Sequence, residues 1–149
     1  MEDNLKNYVE SIGLIGPLLS KVQTIYDFYT TFIEIEVSDI FVSEFINSDG
    51  SRVYENLWVF NNQFCGEATS FITSDDYDVL SFRNSVTYFR LTKKDYDIIS
   101  NQTNDNSRLT LEVGLPDNRA GSLKASKENC KQLSFIFKKY ILPNLKVNH

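Results

Sequence analysis

The fold class this sequence predicts is α+β: a helical segment, an antiparallel meander of about seven strands, then one terminal helix. Three observations carry that expectation. Apolar residues recur at helical spacing up to Tyr29, alternate from Ile33 to Ala125, and return to helical spacing after Ser126. Clusters of Asn, Asp, Ser and Gly punctuate the alternating part. A length of 149 residues with 42% hydrophobic residues suits one well-buried core and is short for two.

Taken in order, Leu5, Tyr8, Val9 and Ile12 predict a first helix, which Gly13 and Gly16 interrupt before Pro17 opens a second. Leu18, Val22, Ile25 and Tyr29 form the stripe of that second helix, widened by Leu19, Tyr26 and Phe28. The β-branched run Thr30, Thr31 and Ile33 favours extended chain, so residues 1–31 are a helical extension and residues 32–149 complete one structural unit. From Ile33 the period is two, with Asp39 expected as a bulge or bend in a strand that reaches Ile46.

Asn47-Ser48-Asp49-Gly50 is a hairpin turn into a strand over 53–60, with Tyr54, Trp58 and Phe60 on one side and Val53, Leu57 and Val59 on the other. Asn61-Asn62 turns into a strand over 64–72, Ser74-Asp75-Asp76 interrupts, and shorter strands over 79–82 and 86–91 flank Asn84-Ser85. Residues 100–107 contain no apolar anchor and read as an exposed loop. Leu109, Leu111 and Val113 alternate as a strand, Pro116-Asp117-Asn118 is a turn, and residues 122–125 complete the last hairpin. Ser126 is the expected N-cap of the terminal helix. Cys130, Leu133, Ile136, Phe137, Tyr140 and Ile141 face its core side until Pro143 ends it.

This order of elements over residues 33–142, clearest in the strand, turn, short strand and helix from Leu109 to Ile141, resembles the pleckstrin-homology-like superfold. The resemblance implies two bent sheets forming a barrel closed at one end by the helix, with Ile136 or Phe137 where many members carry a tryptophan. In classical members of the resembled family basic residues flank the first hairpin loop, so the resemblance raises phosphoinositide binding as an expectation to check. Here residues 47–52 offer only Arg52 beside Asp49, with Glu44 and Glu55 close in sequence, so that ligand is disfavoured. A cone-shaped nuclear-transport-factor-like fold or a helix-grip fold also fits the element order, and either would enclose a small-molecule or catalytic pocket.

No catalytic or cofactor motif is present: there is no GxxxxGKS or GxGxxG loop, and the single histidine is the last residue. The expectation is a non-enzyme without a cofactor or metal. Asp75, Asp76 and Asp78 lack the spacing and terminal glutamate of a calcium loop and read as a solvated turn. Cys65 and Cys130 lie in a strand and a helix outside any paired framework, as buried free thiols do. No leader and no apolar run of ~20 residues is evident, so a soluble, cytoplasmic protein is expected.

Charge is the distinctive property. Residues 32–82 carry ten carboxylates and one cation, whereas residues 83–149 carry twelve cations and six carboxylates, inside a net charge of −5. Such contrast points to a protein-interaction module with segregated acidic and basic surfaces, binding a protein or peptide or associating with itself. Lys124, Lys127, Lys131 and Lys138 are the candidate partner contacts, and a solvated helix face is the plainer account of the same lysines. Nucleic acid is disfavoured by the acidic balance. Peripheral membrane attachment through the N-terminal helices is a weaker alternative, since only Lys6 and Lys21 are basic there.

Overall fold

A computed structural model describes residues 1–73 and 76–146; among them are three α-helices and two antiparallel sheets, an α+β arrangement. Strands β1 (Asp39–Ile46), β2 (Arg52–Phe60), β3 (Phe64–Ala68) and β4 (Val79–Arg83) form the first sheet in chain order. Strands β5 (Tyr88–Lys94), β6 (Arg108–Leu115) and β7 (Arg119–Ser126) form the second. Asp75 and His149 lie outside the described residues.

The first sheet is buried on both faces along most of β1, the second half of β2 and most of β3, where apolar residues such as Ile40–Val42 and Leu57–Phe60 run consecutively, whereas β4 is partly exposed. Helices α1 (Asp3–Ser11) and α2 (Pro17–Asp27) cover one side, where Leu5, Val9, Ile12, Val22 and Ile25 meet Ile40, Val42, Leu57 and Val59. On the other side Phe41, Trp58 and Phe60 meet Leu109, Leu111, Val113 and Leu123 of the second sheet. Helix α3 (Asn129–Ile136) closes that second core with Cys130, Leu133 and Ile136, and Tyr140 follows from the next turn. Rings stack through it: Trp58 lies 6.3 Å from Phe60, and Phe60 lies 5.1 Å from Tyr140. Gly121 is required opposite Trp58, because a Cβ there would collide with the indole.

Four local expectations are corrected. The second helix does not yield to extended chain at Thr30; it continues as a π-helical turn over Phe28–Phe32, because Tyr29 is fully buried and donates to the Leu80 carbonyl at 2.9 Å. The strand expected over residues 33–37 is irregular chain. Glu34 turns to φ 63°, Asn61 donates to the Glu36 carbonyl at 2.7 Å, and the alternation reflects half-burial of Ile33 and Ile35 against the core between the N-terminal helices and the first sheet.

The bulge falls within the first hairpin and not at Asp39. Pairing passes from Val42 with Leu57 to Glu44 with Tyr54, so β2 uses one residue more than β1. A slip of one residue reverses facing, and Tyr54 therefore joins Leu57 and Val59 on the helix side, donating to the Ile12 carbonyl at 2.5 Å. Finally, Ser126 ends β7 and does not cap α3; its hydroxyl donates to Glu44 at 2.6 Å, and Glu128 precedes the helix without a side-chain cap.

The free edge of β1 is covered by side chains. Tyr8 accepts from the Val42 N–H at 3.0 Å, Asn129 donates to the Val42 carbonyl at 3.0 Å, and Gln132 donates to the Ile40 carbonyl at 3.0 Å. Side chains also join the sheets at the β1–β7 corner: Ser43 accepts from the Lys124 N–H at 3.0 Å and Glu44 from the Ser126 N–H at 2.7 Å. Strand ladders do not close the two sheets into a barrel among the described residues.

Both cysteines are buried and free, and burial pushes each thiol up to about 12. Among the described residues no helix is long and apolar enough to cross a membrane, and no cluster of three or more His, Cys, Asp or Glu side chains is placed to hold a metal.

Candidate interaction surface on the terminal helix

Folding divides the charged residues into two sets. One set is used inside the molecule. Glu44 is completely buried, with three hydrogen bonds from Ser126 and Asn129 and the Arg52 Nε 3.3 Å from its Oε2. Such a network is needed because a buried carboxylate without donors is strongly unfavourable. Arg52 also reaches Glu128 at 2.9 Å and the Ile12 carbonyl at 2.7 Å, tying the first hairpin to the entrance of α3 and the end of α1. Burial opposes ionisation of Glu128, but the hydrogen bond and positive charge of Arg52 prevail and hold its carboxyl below the usual range.

Two further pairs cross between the acidic and basic parts of the sequence. Lys139 lies 2.9 Å from the Asp39 Oδ2, and the Tyr140 hydroxyl donates to that same oxygen. Burial and the adjacent Asp39 raise the Tyr140 phenol, so it remains a donor at neutral pH. Lys124 lies 3.5 Å from Glu55 and 5.6 Å from the Phe45 ring centroid. The bipolar sequence is thus partly neutralised within one molecule.

The second set stays outside. From Asn129 to Asn144 the chain carries Lys131, Lys138 and Lys139 and no carboxylate. Cys130, Leu133, Ile136, Tyr140 and Ile141 occupy the buried side, Gln132 and Lys139 bond to the start of β1, and Phe137 meets Phe89 of β5 at 4.9 Å. The remaining outward line, called the α3 face below, starts on α3 with Lys131 and Phe135 and runs on through Lys138 in the π-helical turn Phe137–Ile141 to Leu142 in the 3-10 turn Leu142–Asn144, at spacings of four, three and four residues. Phe135 is 42% exposed and Leu142 48% exposed. Lys139, already paired with Asp39, also lies over the Phe135 ring at 5.3 Å.

Of the four candidate lysines, Lys131 and Lys138 share this outward face and form no ion pair among the described residues. Lys124 is held at the seam with Glu55. Lys127 occupies the β7–α3 turn at φ 52°, beside a shallow depression shared with Arg52, Asp105 and Glu128. The lysines are legible from helical spacing; Phe135 and Leu142 are missed because apolar residues in an amphipathic helix are ordinarily assigned to the core. Their offset from the Cys130, Leu133 and Ile136 stripe is the available signal.

The concavities are open to the surface and mixed in character. One, of about 910 Å³, lies beside the β5–β6 loop and is lined by Lys93, Tyr96, Ile98, Ile99 and Gln102 among others. Another, on the outer face of the second sheet, includes Arg90 and Glu112. No protein-family model, curated protein or solved structure matches this chain.

Proposed function

We propose that this protein is a non-catalytic protein-interaction module that binds an acidic, partly apolar segment on the outward face of α3. One observation carries the reading: Phe135 and Leu142 are exposed among lysines on a stretch, Asn129 to Asn144, without a carboxylate. Exposed apolar anchors supply contact area, and the surrounding cations select a partner by charge. The plainer account, a solvated lysine face with two half-exposed apolar side chains, gives no reason for the two kinds of side chain to share one line, which a partly apolar acidic partner does. The same proposal takes the two sheets and their helix as a pleckstrin-homology-like barrel and the site of action as the cytoplasm. Filling of the inter-sheet space by Trp58, Phe60 and Tyr140 favours a surface function over an enclosed ligand pocket.

The test is fluorescence anisotropy with a labelled amphipathic peptide carrying glutamate on its polar face and leucine on its apolar face. Binding that weakens with salt, and is lost in Lys131→Glu/Lys138→Glu, is expected. Equal binding of a lysine-for-glutamate peptide would contradict the proposal. Retention on anionic vesicles without peptide binding would instead assign the face to membranes.

A further inference from the structure

We infer that the α3 face is occupied by a second copy of this chain, whose acidic segment around Phe32 to Glu36 forms the complementary half of a two-fold dimer. This rests on the proposed interaction role of α3 and names its partner. From Asp27 to Glu36 the sequence carries three carboxylates, Asp27, Glu34 and Glu36, and no cation. Phe32 is 77% exposed, its ring stacked on Phe28 at 5.1 Å. Glu34 at φ 63° turns the chain beside a depression of about 420 Å³, lined by Glu34, Ile35, Glu36, Ser38, Asn61 and Gln63, with no cation in its lining.

Each patch therefore has what the other lacks. The α3 face presents Lys131 and Lys138 with Phe135 and Leu142; the acidic patch presents Glu34 and Glu36 with Phe32. Two α3 faces would repel each other, whereas α3 against the acidic patch joins opposite charges and removes exposed aromatic surface from water.

The patches are neighbours on one molecule. Ser38 borders the acidic depression, and the next residue, Asp39, receives Lys139 and Tyr140 from the far turn of the terminal helix. A two-fold axis near this Asp39–Lys139 seam lays each copy's α3 on the other's acidic patch and uses both contacts at once. Such an isologous arrangement closes at two copies, whereas widely separated patches would propagate a chain.

Size-exclusion chromatography with light scattering on the full chain tests this at low and high salt. The mass of two chains is expected at low salt and of one chain at high salt. Lys131→Glu/Lys138→Glu and Glu34→Lys/Glu36→Lys should each be monomeric at low salt, the first having two acidic patches and the second two basic ones. An equimolar mixture of the two should recover a one-to-one dimer, which misfolded variants would not do. A wild-type monomer at every salt concentration, a mass that keeps growing beyond two chains, or failure of the mixture to pair would overturn the inference. A monomer that still binds the glutamate-leucine peptide through Lys131 and Lys138 would remove the self-partner and leave the interaction role standing. Loss of both activities would remove the role itself.

Discussion

Glu44 and Lys131 come from the two oppositely charged parts of the chain, and the fold uses them in opposite ways. Glu44 is inaccessible to solvent, held by Ser126, Asn129 and Arg52, while Lys131 stands exposed on α3 without an ion-pair partner among the described residues. Segregation of charge along a sequence is therefore not segregation on a surface. Part of it is consumed where β1 meets β7 and α3, and what remains identifies the faces available to other molecules.

The largest expected effect lies in the buried set. Glu44→Ala leaves the Arg52 guanidinium and the donors of Ser126 and Asn129 without their acceptor, and should cost about 3–5 kcal/mol in urea unfolding. A loss below about 1 kcal/mol would mean that the site admits water and is not a sealed joint between sheets. Next is Tyr8→Phe. The hydroxyl accepts from the Val42 N–H at 3.0 Å and donates to Asn129 at 2.8 Å, so its removal should cost about 1–3 kcal/mol. Hydrogen exchange should show the loss at Val42, which would locate the effect at the covered edge of β1.

Lys124→Ala sharpens the comparison from the middle. Its pair with Glu55 is partly exposed, so about 0.2–1 kcal/mol should be lost, and the loss should shrink in high salt. The smallest stability effect belongs to the outward set. At high salt, where the parent is also a single chain, Lys131→Glu/Lys138→Glu should lie within about 0.5 kcal/mol of it in urea unfolding, because neither lysine contributes to an internal pair.

The sequence makes the large divisions of this fold legible because periodicity is a local property. The start of α2 at Pro17, the Asn47 to Gly50 turn, the β6–β7 hairpin and the buried stripe of α3 all follow from residues within a few positions of one another. Alternation alone puts Tyr54 on the Trp58 side, because a bulge registers only against the partner strand. Ser126 reads as an N-cap, yet its hydroxyl serves Glu44 from a position remote in sequence. Ile33 and Ile35 alternate like a strand, but partial burial against the core between the N-terminal helices and the first sheet produces the same pattern.

The proposed interaction surface is legible to the same extent and for the same reason. Helical spacing brings Lys131 and Lys138 together, while the involvement of Lys124 with Glu55 depends on two sheets meeting. Which apolar residues of α3 and of the turns that follow it face outward is settled by the path of the chain over the core. Cys130, Leu133 and Ile136 take the interior, leaving Phe135 and Leu142 exposed.

The most direct test of the division between folded-in and outward charge is to measure urea stability and glutamate-leucine peptide affinity together on Lys131→Glu/Lys138→Glu. An unfolding midpoint unchanged at high salt, where both proteins are single chains, with peptide binding lost at low salt, is the predicted result. A midpoint lowered by more than about 1 kcal/mol equivalent would place these lysines among the structural charges, and retained binding at an unchanged midpoint would exclude α3 as the docking face.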